Sequence, residues 1–254
     1  MTAARDGATL EPSFLSVRDL TMRFGGINAL SGISFDVAQG HVTGLIGPNG
    51  AGKTTCFNCI TRLYQPTSGS ISLRGEDLLR YPAHAIARLR IARTFQNVAL
   101  FMRMTVIENV MIGYHARFAA GKEHSESTAR REAEKVLDYL GLGQFANAYV
   151  AGLPFGSRKA IELARALVSH PELLLLDEPA SGLNHEEVAS LGEQIARIRR
   201  DYDTTIVMVE HHMGLVMGIS DHVVVLDSGR KLADGKPEAI QQNSAVIEAY
   251  LGAA

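Results

Sequence analysis

A glycine-rich string, GPNGAGKTT at residues 47–55, directly follows the apolar stretch HVTGLI. It fits the pattern G-x-x-x-x-G-K-[S/T], in which glycines let the backbone curl so tightly that its N–H groups point inward at a phosphate group. This geometry needs a strand before the loop and a helix after it, because the positive dipole end of that helix faces the same anion. The string therefore predicts an α/β protein that binds a nucleoside triphosphate.

Each kind of residue in this phosphate loop has its own part in holding the nucleotide. Lys53 supplies a mobile positive charge for the β- and γ-phosphate oxygens, and the hydroxyl of Thr54 is placed to ligate Mg²⁺. The nucleotide contacts predicted from this loop are Gly47, Asn49, Gly50, Ala51, Gly52, Lys53, Thr54 and Thr55.

The bulk composition narrows the remaining classes of protein. Apolar residues make up 46% and charged residues 20% of the 254-residue chain, which is typical of a globular protein, and the formal net charge of −2 gives no sign of general nucleic-acid binding. No apolar run approaches the roughly 18 residues of a membrane span, and the start lacks the hydrophobic core of a secretory signal. We expect a flexible leader at residues 1–13 and one domain at residues 14–254, in a cytosolic chain or one held at a membrane by its partners.

The two cysteines, Cys56 and Cys59, are spaced as a C-x-x-C pair. Together with Ile60 and Leu63 they fall at positions i, i+3, i+4 and i+7, which is one apolar face of a helix. We therefore favour small buried hydrophobic residues over a redox pair, although the spacing alone leaves a redox role open. A metal site would need two further ligands, and none lies nearby in the sequence.

The pattern of short segments predicts two kinds of sheet. Short strands with turns at Gly25–Gly26 and Gly32, followed by GSISLRG at residues 69–75, indicate a small antiparallel sheet beside the nucleotide core. The runs LLLL, TTIVMV and HVVVLD, at residues 173–176, 204–209 and 222–227, are continuous β-branched and leucine stretches. Such runs are typical of parallel strands buried on both faces.

Helices are predicted between these strands. Residues 82–150 are expected to be mostly helical, with Thr105 and Glu108 as a capping box for a helix running toward Ala120. SESTARREAEKVLDYLGLG indicates a second helix, and Asn184 is a plausible N-cap of a later one. The ending PEAIQQNSAVIEAYLG indicates two small helices at about residues 236–254.

LLLLDEP at residues 173–179 predicts the acidic residues that, with the phosphate loop, would complete a phosphoryl-transfer site. A buried strand delivers Asp177 and Glu178 to its carboxyl end, which is where ligands collect in open α/β sheets. Asp177 is expected to hold Mg²⁺, and Glu178 is placed to orient and deprotonate an attacking water molecule.

The order of these motifs resembles that of the nucleotide-binding subunits of ABC transporters over nearly the whole chain. RTFQN, LPFGSRKAIELARAL, SGLN and EHH stand at residues 93–97, 153–167, 181–184 and 210–212. The resemblance implies a P-loop NTPase (RecA-like) parallel-sheet core, a small antiparallel β subdomain, and an α-helical subdomain inserted at about residues 97–155. It also implies an ATPase that uses ATP and Mg²⁺.

The same resemblance assigns residues outside the phosphate loop. Gln96 corresponds to the glutamine that touches Mg²⁺ and the lytic water, and His211 to the histidine that contacts the γ-phosphate. Phe24 corresponds to the aromatic residue that stacks on adenine. Glu178, His211 and Gln96 are therefore the predicted catalytic residues, and Thr54, Gln96 and Asp177 the predicted metal ligands.

LPFGS matches the family signature LSGGQ only in part. Pro154 stands at the serine position and brings neither a hydroxyl nor a backbone N–H group, and Phe155 stands at the first glycine position. Gly156 and Ser157 are the residues left to contact the γ-phosphate of ATP bound to a second subunit.

Further segments resemble the ATPase subunits of branched-chain amino acid importers, the LivG-like branch. They are TMRFGGINAL, IARTFQNVALFMRMTVIENVMIG and VMVEHHMGLVMGISDHVVVLDSG. This implies transmembrane permease subunits and a second ATPase, homologous or identical, in a head-to-tail dimer. It further implies a solute-binding protein acting indirectly, no nucleic-acid partner, and a place on the cytoplasmic side of the membrane. The alternatives are another transporter branch, such as lipopolysaccharide export, or an ABC ATPase that moves no solute.

Overall fold

A small antiparallel sheet precedes and flanks the nucleotide core of the computed structural model, which describes residues 13–118 and 125–251. Its strand order is β2-β1-β4-β5. The bounds are β1 (Leu15–Phe24), β2 (Ile27–Val37), β4 (Ser68–Leu73) and β5 (Glu76–Asp77). The predicted leader lies almost wholly outside the described residues.

The second sheet has six strands in the order β10-β9-β3-β8-β7-β6. Neighbouring strands from β9 to β6 pair in parallel, and β10 pairs antiparallel with β9. The bounds are β3 (Val42–Ile46), β6 (Ile91–Arg93), β7 (Leu173–Asp177), β8 (Thr205–Val209), β9 (His222–Asp227) and β10 (Arg230–Gly235). The predicted fold class is confirmed.

Helices connect and cover these strands. They are α1 (Lys53–Ile60), α2 (Val106–Phe118), α3 (Glu126–Tyr139), α4 (Phe155–Leu167), α5 (His185–Asp201), α6 (Met213–Ile219), α7 (Pro237–Gln241) and α8 (Ser244–Leu251). Short 3₁₀ turns lie at Leu78–Arg80, Ala83–Leu89, Gly143–Phe145 and Val150–Gly152. The two small C-terminal helices are present as predicted.

Every residue of β3, β7 and β8 is buried, as expected for central parallel strands. Because successive side chains of a strand point to opposite faces, the leucines of β7 divide between two hydrophobic cores. Leu174 and Leu176 pack with α2 to α6, whereas Leu173 and Leu175 pack with α1 and the antiparallel sheet. The six-stranded sheet is therefore covered on both faces.

The predicted helix caps are present. The Asn184 side chain accepts the N–H of Glu187, and the Glu187 carboxylate accepts the N–H of Asn184, so α5 begins with a capping box. At the start of α2, Glu108 accepts the N–H and the hydroxyl of Thr105, each at 2.7 Å. The end predicted for α2 near Ala120 lies outside the described residues.

Two local predictions were wrong, and one strand was not predicted. Gly32 does not end a strand, because β2 runs through it with a positive φ of 67° beside a shift of register against β1, which is a bulge. The described residues between 82 and 150 are mostly helical as predicted, but the edge strand β6, which was not predicted, lies between the first 3₁₀ turn and α2. Helix α1 ends at Ile60, so Leu63 does not share its apolar face and is 51% exposed.

The strand order determines where the polar segments that follow the parallel strands lie. The parallel strands β3, β8, β7 and β6 lie side by side, and their carboxyl ends share one edge of the sheet. The segments that follow these strands are the phosphate loop, EHH, the DEP turn and RTFQN. Motifs far apart in the sequence therefore gather at one place.

Candidate active site

The phosphate loop joins β3 to α1 in a conformation that depends on glycine. Gly47 has a φ of 149°, and a Cβ there would collide with the carbonyl oxygen of Leu226. Gly52 has a φ of 101° and forms the N-cap of α1, where a Cβ would lie 2.6 Å from a Leu30 methyl group. The loop is thus pressed against neighbouring backbone, and residues with side chains do not fit at these positions.

Lys53, the first residue of α1, is buried among polar atoms of its own loop. Its Nζ atom donates hydrogen bonds to the carbonyl oxygens of Gly47 at 2.7 Å and Pro48 at 2.9 Å. Burial lowers the pKa of Lys53, while the carboxylates of Glu178 and Asp177 act in the opposite direction. The ammonium group is therefore desolvated and close to both acidic residues, as a phosphate ligand should be.

Asp177 ends β7 with its side chain only 1% exposed. Its Oδ2 atom accepts a hydrogen bond from Nη2 of Arg93 at 2.6 Å, whereas Oδ1 has no partner. A buried carboxylate oxygen without a donor suits a hard cation or its water, so the residue fits the predicted Mg²⁺ site. Thr54, the other predicted ligand, is exposed in the first turn of α1.

The three predicted catalytic residues converge on one carboxylate. Nε2 of Gln96 donates to Oε2 of Glu178 at 2.8 Å, and Nδ1 of His211 lies 3.8 Å from the same oxygen. Glu178 has a positive φ of 49°, a conformation that costs free energy in a non-glycine residue and is concentrated at functional sites. Its backbone is fixed by a hydrogen bond of 2.8 Å from its N–H to the Val209 carbonyl.

Two side chains that shape this site were not predicted. Glu210 is fully buried after β8, where its carboxylate accepts the N–H groups of Ala180, His211 and His212 at 2.6, 2.9 and 3.0 Å. His212 turns away and caps α6, with Nδ1 accepting the Leu215 N–H at 3.3 Å. A charged residue directly after a wholly apolar strand was the available signal for Glu210.

Arg93 was also missed as a site residue. Its guanidinium is 5% exposed and donates to Oδ1 of Asn58 on α1 at 2.7 Å and to Oγ1 of Thr61, the C-cap of α1, at 3.2 Å. The guanidinium lies 5.4 Å and 4.9 Å from the ring centres of Phe57 and Phe95. Arg93 thereby joins the helix of the phosphate loop to Asp177 of β7.

The signature-like segment faces a different part of the chain. Helix α4 begins at Phe155, with Pro154 as N-cap, so Gly156 lies inside the first turn and not before it. Outside its own helix, the atoms within 4 Å of a Cβ built at Gly156 belong to Leu183 and Glu187. The structure thus places Gly156 beside Leu183 of the SGLN segment, with Ser157 next to it in the first turn of α4.

Phe24 stands at the end of β1 with 43% of its surface exposed. Its ring meets that of Tyr64 edge to face, with ring centres 5.1 Å apart. An exposed ring held by a second aromatic residue suits stacking on a planar base.

A phosphate loop beside a Gln–Glu pair and a buried aspartate on a parallel sheet defines the class of P-loop ATPases. Residues 30–181 match the family described as ABC transporter, and residues 230–254 match the family described as branched-chain amino acid ATP-binding cassette transporter.

Relatives and solved structures agree with this assignment. The chain is 46% identical to the high-affinity branched-chain amino acid transport ATP-binding protein BraF of Pseudomonas aeruginosa, with 94% of this chain and 98% of BraF covered. It is 45% identical, with the same coverage, to LivG of Escherichia coli, which carries the same description. The ADP conformation of an ATP-binding cassette of an ABC transporter superposes with a TM-score of 0.85 and 27% identity, covering 94% of this chain and 99% of that chain.

The chain belongs to the ATP-binding subunits of ABC transporters, in the branched-chain amino acid branch. The predicted resemblance and the predicted ATPase class are thereby confirmed, and the alternative branches are not favoured. Among residues 13–118 and 125–251, no helix is both long and apolar enough to cross a lipid bilayer.

The burial of Cys56 and Cys59 predicts that their thiols react slowly in the folded chain. Burial is the main cause that raises the pKa of Cys56, and it raises the pKa of Cys59 to about 11. Only about one thousandth of Cys59 would be thiolate at pH 8, and the thiolate is the reactive form. We expect a thiol reagent to label the native chain far more slowly at pH 8 than the chain unfolded in urea. Equal rates in the two states would contradict the buried, non-redox interpretation.

Proposed function

We propose that the chain is the ATP-hydrolysing subunit of an importer for branched-chain amino acids or related small polar solutes. The observation that carries the proposal is the convergence of Lys53, Asp177, Glu178 and Gln96 at one sheet edge. The high identity to BraF and LivG, which are described as branched-chain amino acid transport proteins, supports the choice of solute class.

ATP is held by the phosphate loop in this proposal. The backbone N–H groups of residues 47–55 and the N-terminus of α1 receive the phosphates, and Lys53 exchanges its loop carbonyl partners for phosphate oxygens. Thr54, Asp177 and Gln96 would hold Mg²⁺, which supplies charge neutralisation at the phosphate oxygens when bound. Phe24 stacks on the adenine.

Hydrolysis rests on Glu178. Its Oε2 atom takes a proton from the attacking water as the water oxygen bonds to the γ-phosphorus, and the bond from that phosphorus to the β–γ bridging oxygen breaks to release ADP. The amide of Gln96, 2.8 Å from Oε2 of Glu178, orients the same water. His211, whose ring lies next to Glu178, contacts the γ-phosphate. The strained backbone of Glu178 and its bond to Val209 hold the carboxylate in place for this step.

The site is completed by a second ATPase subunit, identical or homologous, in a head-to-tail dimer. Gly156 and Ser157 lie in the first turn of α4, where backbone N–H groups lack helical partners and are free to bind an anion. The neighbours of Gly156 in its own chain are Leu183 and Glu187, and neither belongs to the phosphate loop. The nucleotide that this turn would contact is therefore the one bound to the second subunit.

Permease subunits are proposed to dock in a groove between the core and the helical segment. This groove has a volume of about 430 Å³, and its lining includes Leu63, Phe95, Phe101, Ile112 and Ala116. Phe101 is 54% exposed, although apolar, and Phe95 directly precedes Gln96. A permease segment docked in the groove would therefore contact the residue next to Gln96. Through the permease the chain would lie on the cytoplasmic side of the membrane, with a solute-binding protein acting indirectly.

Replacing the phosphate-loop lysine tests the nucleotide site. Lys53→Ala removes the buried ammonium group, so we expect ATP affinity to fall by at least a hundredfold, since charged hydrogen bonds are each worth about 1.5–3 kcal/mol. Lys135→Ala, which removes an exposed lysine paired with Glu132 on α3, is the matched control. Equilibrium binding of a fluorescent ATP analogue measures both variants. Undiminished affinity in Lys53→Ala would overturn the phosphate-loop assignment.

Co-purification tests the transporter assignment. We expect the tagged chain, extracted gently from native membranes, to bring with it two permease subunits, a second ATPase and a solute-binding protein. Substituting Phe101→Ser in the groove should reduce permease recovery without changing ATP affinity. Recovery of the wild-type chain from the soluble fraction without any membrane partner would contradict the importer proposal.

A further inference from the structure

Two charged side chains of helix α4, Lys159 and Glu162, contact the backbone that carries the two partners of the Gln96–Glu178 hydrogen bond. Lys159 and Glu162 are three residues apart, so they lie on the same face of the helix. Neither belongs to the predicted catalytic set, yet both are turned toward it. What each side chain contacts indicates its role.

Glu162 holds the loop that contains Gln96. It is 3% exposed, and its Oε1 atom accepts the backbone N–H groups of Phe95 at 3.2 Å and Ala99 at 3.4 Å, on either side of Gln96. Arg165, one turn further along α4, donates to the Ala99 carbonyl at 2.6 Å and pairs with Glu162 at 3.4 Å. A buried carboxylate costs free energy unless it is paired, and every partner of this one fixes or supports the loop.

Lys159 holds the backbone of Glu178. Its Nζ atom donates to the carbonyl oxygen of Glu178 at 2.8 Å and to that of Pro179 at 3.2 Å. Glu178 is also the residue with the positive φ of 49°, a backbone conformation that costs free energy. The hydrogen bond from Lys159 helps to keep its backbone in this conformation. One face of α4 therefore fixes the donor loop and the acceptor residue of the same hydrogen bond.

We propose that Lys159 and Glu162 are positioning residues that set the Gln96–Glu178 pair according to the placement of α4. The proposal rests on the proposed function, because α4 starts at Phe155, in the segment that would meet the nucleotide of the second subunit. Movement of α4 on meeting that nucleotide is transmitted through Lys159 and Glu162 to the catalytic pair of its own chain. In a dimer this links the two ATP sites.

A double-mutant cycle between Glu162 and Gln96 tests the first half of the proposal. We expect Glu162→Leu to lower kcat for ATP hydrolysis roughly tenfold with little change in KM, a size typical of coupled hydrogen-bonding groups. In the Gln96→Ala background the same change should alter kcat by less than about twofold, because Glu162 acts through Gln96. Glu162→Gln, which keeps an acceptor, should recover most of the activity, and the exposed Glu193→Leu on α5 is the control.

Additive effects in the cycle would overturn the proposal, since a merely structural glutamate would lower kcat equally in both backgrounds. If Gln96→Ala alone leaves kcat unchanged, the proposed role of Gln96 fails, and the role of Glu162 fails with it. If Gln96→Ala lowers kcat and Glu162→Leu does not, only the proposal for Glu162 fails. The two failures are therefore distinguishable.

Lys159 gives a second test that does not depend on a buried substitution. Lys159 is half-buried, so Lys159→Met should fold. We expect it to lower kcat several-fold at unchanged KM and to bring the Hill coefficient for ATP toward 1, while Lys159→Arg restores both. Wild-type kcat and Hill coefficient in Lys159→Met would overturn the link between α4 and Glu178.

Discussion

The structure depends on the compensation of buried charge at the carboxyl edge of one parallel sheet. The apolar strands β3, β7 and β8 stabilise the core, but ionisable side chains that are removed from water lie at or after their carboxyl ends, namely Lys53, Asp177 and Glu210. Lys53 is compensated by two loop carbonyls, and Asp177 by the guanidinium of Arg93. The loop carbonyls hold the Lys53 ammonium group where phosphate oxygens would replace them, whereas Arg93 holds Oδ2 of Asp177 and leaves Oδ1 without a partner for a divalent cation. The charged groups are preorganised, because protein contacts already fix them before a ligand binds.

Helix α4 extends this preorganisation beyond the sheet edge. Its first turn faces the SGLN segment, and the ring of Phe155 lies over Gly182, where a Cβ would stand 3.0 Å from the ring. Further along, Lys159 and Glu162 reach the backbone around Glu178 and Gln96. One helix thus carries both the proposed contact with a second subunit and the supports of its own catalytic pair.

The sequence predicted those parts of the site that depend on local patterns. Residues 47–55, the buried strand before Asp177 and the cap at Asn184 are each specified within a few neighbouring residues. Arg93 and Glu162 were missed because the main partners of their side chains, Asp177 for Arg93 and the loop around Gln96 for Glu162, lie far along the chain. Glu210 was missed because its bond to Ala180 depends on the pairing of β8 with β7. The edge strand β6 was missed because three residues carry too little periodicity, and the end of α1 because a helical face does not mark where a helix stops.

The central claim is that the Glu178 carboxylate, held by Gln96 and α4, is the base for hydrolysis. Single-turnover hydrolysis of ATP by Glu178→Gln tests it most directly, because the substitution removes the base and preserves shape. We expect unchanged ATP affinity with a rate at least about a hundredfold below wild type, while Glu186→Gln on the exposed start of α5 keeps the wild-type rate. Hydrolysis by Glu178→Gln at the wild-type rate would show that Glu178 is not the base.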